Sequence, residues 1–415
     1  CLETMMLFCS QQLTAALPNL KFSHLGYRSS THAIFWENTR WCIRHREKLM
    51  EFIDIKTQYQ RHKQEIDASI HRVLDKGSFI MGEEVSLLEN TLARYVGVKH
   101  CIGVSSGTCS LTIALMALGI QPGDEVITVP FTWISTAEVV PLLGAKLVFV
   151  DIKEDSYNMD PDALEKAITP KTKAIIAVNL FGQMADYEKI NQIANKRGIP
   201  IIEDAAQSFG AKQNSVMSGS ATLIGSTSFF PAKPFGCYGD GGALFTNDES
   251  LNAKMRAIRT HGGEVRHHHP YLGFNGRLDT LQAAILLAKF PHFQAEVEAR
   301  ERIGRRYSEL LEGIVETPKI MPGNTHVYAQ YTIRFHHRDE LGQYLKKQGI
   351  PTAVYYPKCL HEQPVFSNLG YSLGSFPVAE KASQHVISLP MHPYLTEQDL
   401  VLITDFVKEA TFITV

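Results

Sequence analysis

The sequence lacks the features that mark several classes of protein. Across its 415 residues, no apolar run approaches the roughly 18–20 residues that a membrane-spanning helix needs. Neither sign of charge is in excess, because 41 Lys and Arg face 43 Asp and Glu and leave a formal net charge of −2. This balance provides no basic footprint for nucleic acid or for an anionic membrane. We therefore expect neither nucleic acid nor a membrane as a partner.

Paired cysteines and metal-binding motifs are also missing. The seven Cys are odd in number, scattered and free of any C-x-x-C motif, which indicates reduced thiols in a cytoplasmic protein. The 17 His include no H-E-x-x-H pattern. The run His267-His268-His269 has no set of Cys, Asp or Glu nearby that would complete a coordination shell. We expect no metal site.

Length and patterning divide the chain into three parts. A hydrophobic content of 44% with 20% charged residues is that of a globular protein, and 415 residues exceed what one compact core usually holds. Residues 1–49 show weak periodicity. We interpret them as an extension upstream of a natural start at Met50, the alternative being a targeting or partner-binding arm. Residues 50–290 are expected to form a large domain and residues 291–415 a small C-terminal α+β domain.

From Glu51 onward, short apolar strands alternate with helical segments. Such alternation is typical of βαβ units around a mostly parallel, buried sheet, so the sequence predicts an α/β fold. Strands are predicted at residues 100–104, 125–129, 146–150, 174–180, 201–203, 226–230 and 242–246, and extended segments at 327–335 and 352–355. Helices are predicted at residues 61–74, after Gly82, and at 109–118, 134–143, 162–168, 187–196, 340–348 and 397–409, with a long helical region over 278–311 interrupted near Pro291.

Polar residues follow several of these strands, at the edge where parallel sheets bind ligands. After the first strand, Gly107 and the free N–H groups of a helix start could bind an anion, although the same pattern is typical of ordinary helix capping. Asp204 follows another strand and needs a cationic or hydrogen-bonding partner, because burying an unpaired charge is costly. Lys233 also follows an apolar strand and precedes a glycine-rich segment.

Several motifs together resemble one enzyme family. The runs EDAAQS at 203–208, SFFPAK at 228–233 and NGRLD at 275–279 are similar to those of the DegT/DnrJ/StrS sugar aminotransferases, which are fold-type I pyridoxal-phosphate enzymes. The resemblance extends from about Met50 to the C-terminus. The segments 328–332, 351–354 and 389–394 resemble the branch that acts on UDP-2-acetamido-2-deoxy-3-oxo-glucuronate. The implied fold has a mostly parallel central sheet and a smaller C-terminal domain.

The resemblance implies a role for each residue at a pyridoxal 5′-phosphate site. Lys233 is the implied catalytic residue, which forms a Schiff base with the cofactor aldehyde and carries a proton. Asp204 is implied to pair with the pyridine nitrogen and keep it protonated. The other implied cofactor contacts are Gln207 near the ring hydroxyl, Trp133 on the ring face, and Thr108, Cys109, Ser228 and Asn275 at the phosphate. Asn275 would come from the second subunit of a homodimer with shared active sites.

The resemblance also implies substrate contacts. Arg277 of a partner subunit is the candidate to bind a sugar carboxylate, because a guanidinium can hold a carboxylate with two hydrogen bonds. Tyr355 and Tyr356 stand where this branch has a His-Tyr pair against the substrate, so Tyr355 departs from the family pattern. The implied reaction transfers an amino group from glutamate to C3 of the UDP-linked keto sugar, for bacterial surface polysaccharide biosynthesis.

Three alternatives stay open at this stage. A pyridoxal-phosphate sugar dehydratase would have His where this chain has Lys233. A non-catalytic sensory protein could keep the fold and the ligand. An NAD oxidoreductase is disfavoured, because the glycine run from Gly236 does not form a G-x-G-x-x-G motif after a strand.

Overall fold

The computed structural model describes residues 50–414, and the predicted extension at residues 1–49 lies outside this range. The described chain contains these helices: α1 (Ile55–Arg61), α2 (Lys63–Lys76), α3 (Glu83–Val96), α4 (Gly107–Leu118), α5 (Ser135–Leu142), α6 (Pro161–Ala167), α7 (Tyr187–Asn195), α8 (Glu249–Arg259), α9 (Thr280–Leu310), α10 (Arg338–Lys347), α11 (Pro377–His385) and α12 (Glu397–Thr414). None of these helices is long and apolar enough to cross a membrane.

The strands are β1 (His100–Val104), β2 (Glu125–Thr128), β3 (Lys146–Phe149), β4 (Thr172–Val178), β5 (Ile201–Asp204), β6 (Lys212–Gln213), β7 (Val216–Met217), β8 (Ile224–Ser228), β9 (Gly242–Thr246), β10 (Tyr331–Arg334) and β11 (Val386–Leu389). Seven of them form the central sheet in the order β1-β9-β8-β5-β4-β2-β3. Only β9 runs antiparallel to its neighbours within this sheet. The prediction of a mostly parallel sheet in an α/β fold is therefore confirmed.

Two predicted segments near the C-terminal part are wrong in detail. The helix at α9 is not interrupted at Pro291 but runs through it. Proline removes one backbone hydrogen bond, yet the flanking side chains Ala288 and Phe293 are buried, and this packing keeps the helix continuous. The predicted extended segment at 352–355 forms no strand and pairs only through a single bridge between Ala353 and Ser388.

The short helices α1, α8 and α11 and the strand β11 were not predicted from the sequence. Helix α8 has a signal that could have identified it, because Asp248 caps its first turn by accepting a hydrogen bond from the Leu251 N–H at 2.8 Å. The domain boundary at residue 290 stays a prediction. It falls inside the unbroken helix α9.

The four cysteines within the described chain are free thiols with buried side chains: Cys101, Cys109, Cys237 and Cys359. Burial raises the pKa of each thiol, to about 11 for Cys237 and about 12 for Cys359. A thiol that stays protonated is a poor nucleophile, so these cysteines serve as packing residues.

A buried carboxylate ties the loop before β8 to the sheet. Glu203 on β5 is fully buried, and its Oε1 accepts hydrogen bonds from Asn179 Nδ2 at 2.8 Å and from the Gly219 N–H at 2.8 Å. Its Oε2 accepts from the Ala221 N–H at 3.0 Å. Burial raises the pKa of Glu203 and these hydrogen bonds lower it, so the donors compensate in part for the cost of burying the acid.

We expect Glu203→Ala to lower the free energy of unfolding by about 2–4 kcal/mol, because its buried donors would lose their common acceptor. Urea denaturation followed by circular dichroism measures this change. Glu188→Ala, at an exposed position on α7, is the matched control and should change stability by less than about 0.5 kcal/mol. Equal effects of the two substitutions would contradict the structural role of Glu203.

Candidate active site

The predicted site residues gather at the carboxyl edge of the central sheet. Strand β5 ends at Asp204 and the neighbouring strand β8 ends at Ser228, with Asp204 paired to Ser226 across the ladder. The segment from Ser228 to Lys233 forms a turn just beyond the end of β8, where the Lys233 N–H donates to the Phe230 carbonyl at 2.8 Å. The parallel strands β5 and β8 therefore bring the acid and the segment that carries the lysine to the same edge of the sheet.

The carboxylate of Asp204 acts on the amine of Lys233 through its charge, which raises the pKa of that amine. Burial lowers the pKa of Lys233, and among the described residues Asp204 is the one charged group that opposes this shift. A lowered pKa increases the fraction of neutral amine, which is the form that can act as a nucleophile or accept a proton.

Asp204 is buried, with a solvent-exposed fraction of 6%. Its Oδ2 accepts a hydrogen bond from Thr136 Oγ1 at 2.8 Å, and its Oδ1 accepts from the Ala206 N–H at 3.2 Å. Burial raises the pKa of Asp204, while both donors and the charge of Lys233 lower it. Thr136 belongs to the FTWIST run at 131–136, but sequence reasoning gave it no role, because its contact with Asp204 exists only in the folded chain.

The start of helix α4 forms a cradle next to Ser228. Ser106 is the N-cap, and its Oγ accepts a hydrogen bond from the Cys109 N–H at 3.0 Å. The N–H groups of Gly107 and Thr108 belong to the first turn, where no intrahelical acceptor exists. A Cβ added to Gly107 would lie 2.7 Å from Ser228 Cβ, so the helix start and the end of β8 are in close contact.

This cradle differs in one respect from the predicted phosphate contacts. The predicted donor Cys109 N–H is engaged by Ser106, whereas Thr108 offers its N–H and a hydroxyl that is 2.7 Å from Ser135 Oγ. The predicted role of Ser228 requires its Oγ, which accepts from the Phe230 N–H at 3.3 Å and keeps its own proton to donate.

Gly107→Ala is expected to raise the dissociation constant of pyridoxal phosphate about 10-fold, because the new methyl group would push α4 away from Ser228 and open the cradle. Equilibrium dialysis of the apoenzyme against the cofactor measures this constant. Thr112→Ala, one turn further along α4, is the control and should leave it unchanged. Unaltered cofactor affinity in Gly107→Ala would contradict an anion site here.

A further side of the site contains three contacting side chains: Gln207, Tyr356 and Trp133. Gln207 is buried and oriented, because its Oε1 accepts from the Phe181 N–H at 2.9 Å and its Nε2 donates to the Tyr356 hydroxyl at 3.2 Å. The rings of Trp133 and Tyr356 lie 6.4 Å apart, and 58% of the Trp133 side chain is exposed. An exposed indole beside a buried polar pair provides a face on which an aromatic ligand can stack.

The predicted substrate residues occupy two separate segments. Tyr355 lies beside Tyr356, with ring centroids 5.9 Å apart. The segment from Asn275 to Arg277 packs along the end of β1, where Val104 pairs with Arg277 and the Ser105 N–H donates to the Gly276 carbonyl at 2.9 Å. Arg277 Nε donates to Asn275 Oδ1 at 2.9 Å.

The gathered residues fit pyridoxal phosphate. The cradle of α4 and Ser228 suits a phosphate, the buried Asp204 suits a protonated pyridine nitrogen, and the amine of Lys233 suits an aldehyde. When bound, the cofactor supplies an electron sink for the substrate carbon that carries the amine. The roles of the individual residues stay predictions.

Known proteins give an independent comparison. Residues 60–408 match the DegT/DnrJ/EryC1/StrS aminotransferase family. The UDP-2-acetamido-2-deoxy-3-oxo-D-glucuronate aminotransferase of Pseudomonas aeruginosa is 51% identical over 86% of this chain and 98% of its own length. The UDP-N-acetyl-3-dehydro-alpha-D-glucosamine 3-aminotransferase of Acidithiobacillus ferrooxidans is 42% identical over 86% of this chain and 96% of its own length.

Solved structures agree with this match. A DegT/DnrJ/EryC1/StrS aminotransferase from Brucella abortus superposes with a TM-score of 0.85 at 45% identity, covering 87% of this chain and 99% of its own. NtdA from Bacillus subtilis, solved with bound cofactor PMP, has a TM-score of 0.77 at 32% identity and covers 85% of this chain and 82% of its own. The chain belongs to the DegT/DnrJ/EryC1/StrS family and is a pyridoxal-phosphate-dependent sugar aminotransferase.

Proposed function

We propose that the protein transfers an amino group from glutamate to C3 of a UDP-linked 3-oxo sugar, namely UDP-2-acetamido-2-deoxy-3-oxo-glucuronate. The observation that carries the reaction type is the placement of a buried acid, Asp204, at the end of β5, beside strand β8, whose end leads into the segment that carries Lys233. The substrate class rests on the Pseudomonas aeruginosa aminotransferase, which is similar over 98% of its length. The amino sugar product would be used in the biosynthesis of a bacterial surface polysaccharide such as an O-antigen. The reaction would take place in the cytoplasm.

The proposed roles follow from the chemistry of each side chain. The neutral amine of Lys233 would carry a proton between the substrate carbon and the cofactor C4′, which requires the lowered pKa that burial provides. The carboxylate of Asp204 holds a proton at the pyridine nitrogen, and Thr136 fixes the direction of that carboxylate. Gln207 and Trp133 orient the ring, while Thr108, Ser228 and the start of α4 bind the phosphate.

We propose that Arg277 binds the substrate carboxylate. Its neighbour Asn275 accepts a hydrogen bond from Nε, which leaves the two terminal nitrogens of the guanidinium free to form a paired contact with a carboxylate. Desolvating that carboxylate without a cation would be costly.

Arg277→Met is therefore expected to lower kcat/KM for the 3-oxo-glucuronate about 30–100-fold through a higher KM. The matched substrate is the UDP-linked 3-oxo-glucosamine that lacks the carboxylate, for which kcat/KM should stay within about threefold. Steady-state kinetics with both sugars measures the difference. Equal losses for both sugars would rule out carboxylate recognition by this side chain.

We further propose a homodimer in which Asn275 and Arg277 reach the site of the partner subunit. An exposed apolar stretch supports this interface, since Phe79, Ile80 and Met81 are 46%, 50% and 39% exposed. The same stretch pairs with the segment that follows Arg277, through a bridge from Ile80 to Asp279. Exposed apolar side chains in a row are typical of a surface that a second chain covers.

One experiment tests the reaction and separates the alternatives. The holoenzyme is incubated with glutamate and a panel of UDP- and dTDP-linked keto sugars, and the masses of the products are measured by mass spectrometry. We expect the carbonyl oxygen of the UDP-linked 3-oxo-glucuronate to be replaced by an amino group. Loss of water from the sugar would indicate a dehydratase, and no product with any of these sugars would contradict the proposed substrate class.

A further inference from the structure

A group of histidine and glutamate side chains lies at the contact between α2 and α9, on elements outside the sheet edge that carries Lys233. His62 directly precedes α2 and Glu65 is in its first turn. His292 and Glu296 lie one turn apart in α9. Within residues 50–414, His62, Glu65 and His292 are the one group of three such residues whose ligand atoms all come within 4.8 Å of one another.

The geometry of this group brings nitrogen and oxygen atoms together across two helices. His292 Nε2 is 2.6 Å from Glu65 Oε2, and His62 Nε2 is 3.9 Å from Glu296 Oε1. The two imidazole rings stack with centroids 3.8 Å apart. The pairs His62/Glu65 and His292/Glu296 have spacings of three and four residues, at which neighbouring helical turns present side chains on one face.

Charged groups of both signs surround this group. The carboxylates of Glu65 and Glu296 attract a cation, while Arg61 lies nearby and the buried cations Lys289 and Arg300 act on Glu296. The case for a metal ion therefore rests on the convergence of the ligand atoms and not on the sum of the charges.

Glu296 is already oriented by surrounding groups. Its Oε2 accepts a hydrogen bond from Gln58 Nε2 at 2.8 Å, and its Oε1 accepts one from the Tyr394 hydroxyl. Metal-binding side chains in proteins are typically held by such outer hydrogen bonds. Glu296 could therefore supply a fourth ligand with little loss of conformational entropy.

We propose that His62, Glu65 and His292, with Glu296 as the fourth ligand, bind a divalent transition-metal ion, zinc being preferred. Imidazole nitrogens and carboxylate oxygens are both zinc ligands, and tetrahedral bonds of about 2.0–2.2 Å place neighbouring ligand atoms roughly 3.3–3.6 Å apart. The side chains must rotate to reach these separations, for which His292 and Glu65, 34% and 57% exposed, have room. Sequence analysis predicted no metal site, because the ligands come from helices more than two hundred residues apart and form no local motif.

The proposed role of the metal is structural. It would link α2 to α9, and one turn before His292 the buried Lys289 donates a hydrogen bond to the Gly236 carbonyl in the segment after Lys233. The ion has no place in transamination, so its binding is independent of the proposed function and the two can fail separately.

The test uses untagged holoenzyme that has been dialysed against a chelator and titrated with zinc by calorimetry, with cobalt as a visible probe. We expect one ion per chain, tetrahedral cobalt absorbance and a higher Tm with zinc. H62Q and H292Q should weaken zinc binding at least about 100-fold, and E65Q, whose side chain is exposed, at least about 10-fold.

The controls are H71Q, on the exposed face of α2, and the triple substitution H267Q/H268Q/H269Q, which removes the other histidine group. Both should keep the affinity, and every variant should keep its transaminase activity. Tm without metal shows whether each variant is folded. Wild-type affinity in folded H62Q and E65Q, or loss of binding only in the triple variant, would overturn the proposal.

Discussion

Lys233→Ala is expected to lower kcat by at least about 10³-fold. The substitution removes both the amine that bonds to the cofactor and the group that moves the proton at the substrate carbon, and positioned proton transfer alone contributes about 10²–10⁴-fold. The variant should also lose the visible absorbance of lysine-bound pyridoxal phosphate. Single-turnover kinetics with the UDP-linked keto sugar measures the rate.

The matched control is Lys196→Ala, at an exposed position after α7, which should leave kcat and absorbance unchanged. A second variant, Lys233→Arg, keeps the charge beside Asp204 but cannot supply a neutral amine, and it should be as inactive as alanine. If Lys233→Ala keeps wild-type turnover, the lysine is not the catalytic group and the proposed chemistry fails.

Asp204→Asn is the second substitution with a large expected effect, a fall in kcat of about 10²–10³-fold. An amide cannot hold a proton at the pyridine nitrogen, so the ring becomes a weaker electron sink. Because the charge of Asp204 raises the pKa of Lys233, the substitution should also lower the pKa of that amine further. Stopped-flow kinetics over a pH series measures both quantities.

Two variants separate this effect from simple damage to the sheet. Thr136→Val removes one hydrogen bond to the carboxylate but keeps its charge, and should cost about 10-fold or less. Glu203→Gln changes the adjacent buried acid, and should affect stability more than kcat. A similar loss of kcat in Asp204→Asn and Glu203→Gln would contradict a specific role of Asp204 at the cofactor ring.

Much of the fold was predictable from local pattern. Apolar strands bounded by Gly, Pro and capping residues identify β1, β5 and β9 closely, since side-chain periodicity and turn residues act over a few positions. The order of strands in the sheet and the antiparallel direction of β9 depend on pairings between distant segments, which periodicity does not encode. For the same reason α9 was predicted to break at Pro291, although buried neighbours stabilise it.

The candidate site shows the same division. Asp204 and Lys233 were identifiable from the sequence because each follows a predicted apolar strand. Polar residues at the carboxyl ends of such strands are candidates for ligand binding. The contacts of Thr136 with Asp204 and of Gln207 with Tyr356 join residues 68 and 149 positions apart, so only the folded chain reveals them.

The four buried cysteines should be protected from alkylating reagents, because these reagents react with thiolates that they can reach. Modification of Cys101, Cys109, Cys237 or Cys359 requires that part of the chain opens first. Peptide mass mapping over time would thus measure the rate at which each region opens. Alkylation of Cys237 would report opening of the segment that follows Lys233, and alkylation of Cys359 would report opening of the chain that follows α9.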